Sequence, residues 1–220
     1  MLKLTKWAII SALCVTADLH AVEFITQAPK GFMDFKLKDG LRVQTHYHIQ
    51  QKDKIGASKY KKITNNTIRK GTISYWVYQP PKGPSVHWYA RSNQLPESIE
   101  PIKWHHPFAK YDANAAKIYA GRTTSDGVNR FYDSEVKSIH HLYNLQQNGR
   151  VQAGGTLKGY VDKAACDSCR GVLTAAEENG LASKIQVFEA PEAYTNKFKQ
   201  LRAKLGKLAE EGTNPLTCDL

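Results

Sequence analysis

The fold is decided by residues 132–189, which read YDSEVKSIHHLYNLQQNGRVQAGGTLKGYVDKAACDSCRGVLTAAEENGLASKIQVFE. Within residues 133–147, apolar side chains recur at spacings of three and four, which is the period of an amphipathic helix. The residues that share this predicted face are Val136, Ile139, His140 and Tyr143. A strand, a second helix closed by Gly180 and another strand follow, so the stretch alternates between the two kinds of element.

The alternation extends on both sides of this stretch. Beyond residue 189, apolar positions at helical spacing predict a long final helix. In chain order, the elements predicted after residue 116 are strands at 117–120 and 128–132, a helix at 133–147, a strand at 156–161, a helix at 166–179, a strand at 184–188 and a helix at 191–211. This order predicts an α/β fold in which a mixed sheet is flanked by helices.

The first part of the chain is predicted to be β-rich. Residues 72–78 and 85–89 are β-branched and aromatic runs, and the Pro-rich turn at residues 80–84 predicts that they form a hairpin. An alternating pattern predicts a further strand at residues 41–49. Residues 52–70 are dense in Lys, Asn and Thr, which predicts an exposed loop, with a basic nucleic-acid-binding edge as the alternative.

Length and composition limit the domain organisation. The 220 residues have room for one ordinary domain or two small ones. The hydrophobic fraction of 41% and the charged fraction of 23% exclude a disordered chain and a fibre. With a Pro-rich linker at residues 94–107, the predicted organisation is a signal peptide at 1–21, a β-rich region of unknown role at 22–115, an α/β domain at 116–212 and a tail at 213–220.

Residues 1–21 have the pattern of a cleaved signal peptide. Lys3 and Lys6 precede an apolar run at residues 7–17, and Ala21 supplies a small residue before a cut. This run of 11 residues is too short for a membrane-spanning helix, which needs about 20. We therefore expect a secreted or periplasmic protein whose mature chain has no transmembrane segment.

The net charge of +11 favours polyanionic partners. Nucleic acid and an anionic membrane surface both attract such a chain, through counterion release and electrostatic steering. Charge alone does not choose between them.

The sequence Cys166-Asp167-Ser168-Cys169 lies at the predicted start of a helix. Two thiols at positions i and i+3 of a first turn face the same direction, and the positive end of the helix dipole favours their thiolate forms. This pattern predicts a metal or redox role. The three alternatives are a zinc site, a structural disulfide between Cys166 and Cys169 in a secreted, non-catalytic binding protein, and a thioredoxin-like redox pair.

Two carboxylates begin the predicted helix that precedes these cysteines. Asp133 and Glu135 are two positions apart, so they are not expected to point the same way on a helix. Such an offset suits a division of labour in which one carboxylate binds a metal and the other acts on bound water.

The order of these motifs resembles the cytidine deaminase-like superfamily, whose signature is H-x-E followed by P-C-x-x-C. The sequence Asp133-Ser134-Glu135, taken with Cys166 and Cys169, is similar to that of bacterial toxin-type deaminases. The resemblance covers residues 116–212.

The resemblance implies a zinc-dependent hydrolytic deaminase. Asp133, Cys166 and Cys169 would hold Zn²⁺ with water in the fourth position, and Glu135 would shuttle protons. The substrate would be a cytosine or adenine base in nucleic acid or in a nucleotide. A toxin or effector of this kind also implies a cognate immunity protein as a partner.

The sequence departs from the family pattern at two positions. Asp133 stands where His is usual, and Ala165 stands where Pro normally precedes the first Cys. A carboxylate is an acceptable zinc ligand, and His141 is the alternative ligand.

Three further residues are candidates for substrate binding. Tyr132, beside the predicted ligand Asp133, is the candidate for stacking on a base. Arg130 and Lys158 are the candidates for contacting a phosphate.

Overall fold

The computed structural model describes residues 21–93, 106–123 and 127–217 of the chain. The predicted signal peptide, apart from Ala21, and the predicted linker, apart from residues 106 and 107, lie outside these ranges. Within them, no helix combines the length and the apolar character that crossing a membrane requires.

Five strands form one mixed sheet in the order β1-β5-β4-β2-β3. The strands are β1 (Glu23–Thr26), β2 (Ile73–Gln79), β3 (Val86–Arg91), β4 (Gly155–Val161) and β5 (Ala182–Glu189). β1, β5 and β4 run parallel, and β2 is antiparallel to both β4 and β3. Strands from both sides of residue 115 therefore pair in the same sheet, while the division into domains stays a prediction.

Helices cover both faces of this sheet. They are α1 (Phe32–Gln50), α2 (Lys52–Ile55), α3 (Ala57–Ile63), α4 (Ser134–Gln147), α5 (Asp167–Glu178) and α6 (Glu192–Glu211). A π-helical segment, Thr64–Arg69, continues α3. This architecture confirms the predicted fold class, an α/β fold whose mixed sheet is flanked by helices.

Alternate side chains of the interior strand β2 face two separate hydrophobic cores. Trp76 and Tyr78 pack with residues of α4 and α5. Ile73 and Tyr75 pack on the opposite face with residues of α1 and α6. All four side chains are buried, as expected for a strand that has helices on both of its faces.

The elements predicted from residue 133 onward are confirmed as α4, β4, α5, β5 and α6, and the predicted hairpin is confirmed as β2 and β3. The strands predicted at residues 117–120 and 128–132 are wrong. A 3₁₀ turn, Ala115–Lys117, overlaps the start of the first range. In the second range, Asn129 forms an isolated bridge with Thr123.

The strand predicted at residues 41–49 is also wrong, because these residues belong to α1. Leu37, Leu41, Gln44 and His48 are all buried and follow one another at spacings of four, three and four. Two of these four side chains are polar, so their helical period is not visible as a period in hydrophobicity.

The loop predicted at residues 52–70 is wrong for a similar reason. These residues form α2, α3 and the π-helical segment. The buried side chains Tyr60, Ile63, Thr67 and Ile68 attach this region to the fold. So few apolar residues in a lysine-rich stretch give a weak periodic signal.

A buried ion pair between Arg202 and Asp162, just after the end of β4, connects four elements of the fold. The guanidinium of Arg202 on α6 donates to Oδ2 of Asp162 at 2.6 Å and to the carbonyl of Ile68 at 2.7 Å. Oδ1 of Asp162 accepts from the backbone N–H of Ile73 at 3.0 Å. Both charged side chains are about 1% exposed, so this pair fixes α6, β2, the end of β4 and the π-helical segment relative to one another.

We predict that Arg202→Met destabilises the fold by about 3–5 kcal/mol, because it leaves the Asp162 carboxylate buried without its cation. The free energy of unfolding in urea measures the effect. Lys207→Met is the matched control, since Lys207 lies on the exposed side of α6 and its replacement is expected to change stability by less than about 0.5 kcal/mol. Equal changes in the two variants would contradict a structural role for the pair.

Candidate metal centre

Two helices begin at the same place in the fold. The residue before α4 is Asp133, and the residue before α5 is Cys166, and both have extended backbone conformations. The sulfur of Cys166 accepts a hydrogen bond from the backbone N–H of Cys169 at 3.4 Å. Both side chains thus lie at the positive ends of helix dipoles, where negative charge is stabilised.

The three residues predicted as metal ligands are brought together. Oδ2 of Asp133 lies 3.6 Å from Sγ of Cys166 and 3.3 Å from Sγ of Cys169. The two sulfurs are 3.1 Å apart, and both cysteines are free. One carboxylate oxygen and two sulfurs within 4.8 Å of one another can hold a metal ion.

The hydrogen bond between the two sulfurs shifts the pKa values of the two thiols in opposite directions. This bond lowers the pKa of Cys166, and the same bond, with burial, raises the pKa of Cys169. One sulfur therefore favours the thiolate form and the other retains its proton. Because metals bind thiolates, metal binding at this pair would release a proton.

Glu135 lines the same cavity as these three residues. Its side chain is buried and accepts a hydrogen bond from Oγ of Ser134 at 2.7 Å. Burial, assisted by the negative charge of Asp133, raises the pKa of Glu135 to about 7. The carboxyl group can therefore both hold and release a proton near neutral pH.

Asp133 and Glu135 are two positions apart, but only Glu135 belongs to the helix. Asp133 precedes the helix in an extended conformation, so both carboxylates reach one cavity.

The cavity around this group has a volume of about 380 Å³, which lies within the range of small-molecule sites. One wall comes from the π-helical segment and the turn after it, and another from the end of β3. The lining residues from these walls are Asn66, Lys70, Gly71, Thr72, Ser92 and Asn93. None of these six residues is among the predicted site residues, although they line a large part of the cavity.

A buried lysine holds these walls against the helix that carries Glu135. Nζ of Lys137 donates to the carbonyls of Arg91 and Asn93, both at 2.7 Å. Asn93, at a positive φ of 76°, donates through its side chain to the carbonyl of Asn66 at 2.6 Å. Burial and the nearby Arg91 hold the pKa of Lys137 well below its usual value. Nothing in the sequence around Lys137 indicates this role.

The residue before Cys166 is clamped by a second charged pair. Oε1 of the buried Glu189 accepts from the backbone N–H of Ala165 at 2.9 Å and from Nη2 of Arg170 at 2.6 Å. Nε of Arg170 donates to the carbonyl of Ala165 at 3.2 Å. Proline has no N–H to donate, so this contact requires a residue other than proline before Cys166.

The candidate substrate-binding residues are placed differently from one another. Arg130 lines the cavity, with Nη1 3.8 Å from Oδ2 of Asp133. Tyr132 packs its ring on Tyr111, with centroids 4.9 Å apart, and does not line the cavity. Lys158 is exposed in the middle of β4, on the opposite sheet face from α4 and α5, and does not line the cavity either.

The alternative ligand His141 does not belong to the group of donors found among the described residues. Its ring packs on Trp88, with centroids 5.1 Å apart. Burial lowers the pKa of His141 to about 4, so the ring is neutral at physiological pH.

No protein-family model, curated protein or solved structure matches the chain. The interpretation of this site therefore rests on its residues and their geometry.

We predict that the purified chain binds one divalent transition-metal ion through this group. Cys166→Ser combined with Cys169→Ser removes both sulfur donors and is expected to weaken binding by more than about 100-fold, because losing outer-shell partners alone costs about 10–100-fold. Titration with cobalt, followed by visible absorption, measures the affinity. His141→Ala is the matched test of the alternative ligand and is expected to leave the affinity unchanged.

A thiol count on the unreduced, denatured and chelated protein separates this metal site from a disulfide. We expect the parent chain to show two more reactive thiols than the double serine variant. Equal counts would assign Cys166 and Cys169 to a disulfide, and reduction of insulin by the parent chain would support a redox pair.

Proposed function

We propose that the chain is a zinc-dependent hydrolytic deaminase that acts on a cytosine or adenine base of a nucleotide or nucleic acid. The observation that carries the proposal is the meeting of Asp133, Cys166 and Cys169 at two helix starts, with Glu135 in the same cavity. This is the arrangement implied by the resemblance to toxin-type deaminases.

The donor set fits zinc. Zinc binds carboxylate oxygen and thiolate sulfur, and a tetrahedral site with bonds of about 2.0–2.3 Å separates its ligands by about 3.3–3.8 Å. The two oxygen–sulfur separations here, 3.3 and 3.6 Å, lie within this range. The two sulfurs are 3.1 Å apart, so they would move apart to hold the ion. Zinc held there would supply a Lewis acid that brings the pKa of water from about 15.7 towards 7.

Glu135 is the residue that would move protons in this reaction. Water adds to the ring carbon that bears the amino group, and Glu135 takes the proton that the water loses. The carboxyl group delivers this first proton to the ring nitrogen. It then takes the second proton from the hydroxyl group of the adduct and delivers it to the departing amino group. One water is consumed and one ammonia is released, with no change of oxidation state. The buried position of Glu135 and its pKa of about 7 support this role.

We predict that Glu135→Gln lowers ammonia release by about 10²–10⁴-fold while the zinc content stays unchanged, because the amide cannot carry the proton. Cytidine, adenosine, their nucleotides and single-stranded oligonucleotides are the substrates to assay. Glu178→Gln makes the same chemical change at an exposed position of α5 and is expected to leave ammonia release unchanged. Full activity of Glu135→Gln would refute the proton-transfer role.

We also propose that the enzyme acts as a toxin or effector outside the compartment in which it is made. The basic start, the short apolar run and the small residue at position 21 support export. A toxin of this kind would require a cognate immunity protein in the cell that produces it.

Export makes a prediction about the mature N-terminus. When the complete chain is produced in bacteria, we expect the protein recovered from the periplasm or medium to begin at Val22, because Ala21 is the last residue of the predicted signal peptide. Intact-mass measurement reads the N-terminus directly. Recovery of the uncleaved chain from the cytoplasm alone would contradict export.

A further inference from the structure

The positive charge of the chain is concentrated in one region. Residues 30–70 contain eleven Lys and Arg and three Asp, with no Glu, for a net charge of +8 out of the +11 of the whole chain. This region forms α1, α2, α3 and the π-helical segment. The function proposed above uses none of this charge apart from that of Lys70 at the cavity.

Part of this charge lies in a row along one side of α3 and the π-helical segment. Lys59, Lys62, Asn66 and Lys70 are exposed and follow at spacings of three, four and four. We call these four residues the basic row. The buried residues of the same stretch face the fold, so the row lies on the solvent side and is roughly 15 Å long at the helical rise.

The basic row ends at the cavity that holds Glu135. Asn66 and Lys70 belong to both the row and the cavity lining. Nζ of Lys163, another lining residue, donates to the carbonyl of Lys70 at 2.6 Å, which fixes the end of the row against the loop before Cys166. Arg130 adds a further positive charge on the lining.

We propose that the basic row binds the phosphodiester backbone of a single-stranded nucleic acid and leads one of its bases to the cavity. The delivery of a base to the cavity rests on the proposed function. Lysines spaced along a helix neutralise successive phosphates without reading sequence. A mononucleotide at the cavity would reach Lys70 but not the far end of the row, so the row distinguishes a polymer from a monomer.

The row suits a nucleic acid better than an anionic membrane surface. Membrane-associated helices combine lysines with large apolar side chains that enter the lipid. Large hydrophobic side chains are exposed elsewhere in the described chain, at Phe32, Phe35, Tyr111, Ile118, Val128 and Leu216. None of these belongs to α3 or to the π-helical segment.

The test compares two double variants of the full chain. Lys59→Gln with Lys62→Gln removes two charges from the row, and Lys82→Gln with Lys117→Gln removes two exposed charges from outside the row and the cavity lining. Fluorescence anisotropy with labelled single-stranded DNA and RNA of about 12 nucleotides, repeated over a range of salt concentrations, gives the affinity and its salt dependence.

We expect the row variant to bind the oligonucleotides more weakly at low salt, with a plot of log affinity against log salt that is shallower by about 1.4, since each single-strand phosphate contact contributes about 0.7. The control variant is expected to keep the parent slope. Equal slopes in the two variants would overturn the proposal. Binding to vesicles of phosphatidylglycerol and phosphatidylcholine is measured alongside, and a row variant that loses affinity for the vesicles but not for the oligonucleotides would also overturn it.

This readout is independent of catalysis. Oligonucleotide binding that depends on the row, without ammonia release from any base, would retain the binding surface and refute the deaminase proposal. Ammonia release from nucleotides, with no effect of the row on oligonucleotide binding, would retain the deaminase proposal and refute the binding surface.

Discussion

The site depends on one constraint, that α4 and α5 begin next to each other with Asp133 and Cys166 still in extended conformations. Helical residues at these positions would direct their side chains around the helix axes, away from a common point. The helices are held together by their packing in the core shared with β4 and β5. The clamp of Glu189 on Ala165 then fixes the backbone immediately before Cys166.

The remaining half of the site comes from far away in the sequence. Lys137 connects α4 to the end of β3, and Asn93 connects the end of β3 to the π-helical segment. The ion pair of Arg202 with Asp162 holds that segment on α6. These contacts bury charged groups, which is unfavourable unless each has its partners. A network of this kind makes the position of the cavity walls depend on the whole fold.

The sequence predicted the elements whose burial is apolar and whose ends carry local signals. α4 and α5 were recognisable because their apolar faces have a helical period and because Asp133 and Cys166 mark their starts. α1 was not, since Gln44 and His48 are buried on its packed face, and hydrophobic periodicity does not register polar residues. His48 is buried beside Nη1 of Arg91, 3.3 Å from its Nε2, a contact between residues 43 positions apart that no local pattern reveals.

The candidate site also contains residues that have local sequence signals and residues that only long-range contacts place. The predicted ligands and Glu135 lie within two short motifs, and the resemblance of those motifs to a known signature was enough to select them. Lys158 is predicted as a phosphate contact from its charge, but the sheet face on which a side chain lies depends on the register of the whole strand. The roles of Lys137 and Glu189 depend on contacts with backbone groups that approach only in the folded chain.

Asp133 and Ala165 each have polar partners in the structure. A ligand set of the Asp133 carboxylate and two thiolates would carry three negative charges against the two positive charges of a divalent ion. Arg130, 3.8 Å from the Asp133 carboxylate, and the positive ends of α4 and α5 offset the extra negative charge. The alanine before Cys166 provides the N–H that Glu189 accepts. The candidate donors therefore lie beside one guanidinium and two helix N-termini, and Ala165 supplies a backbone donor that a proline would lack.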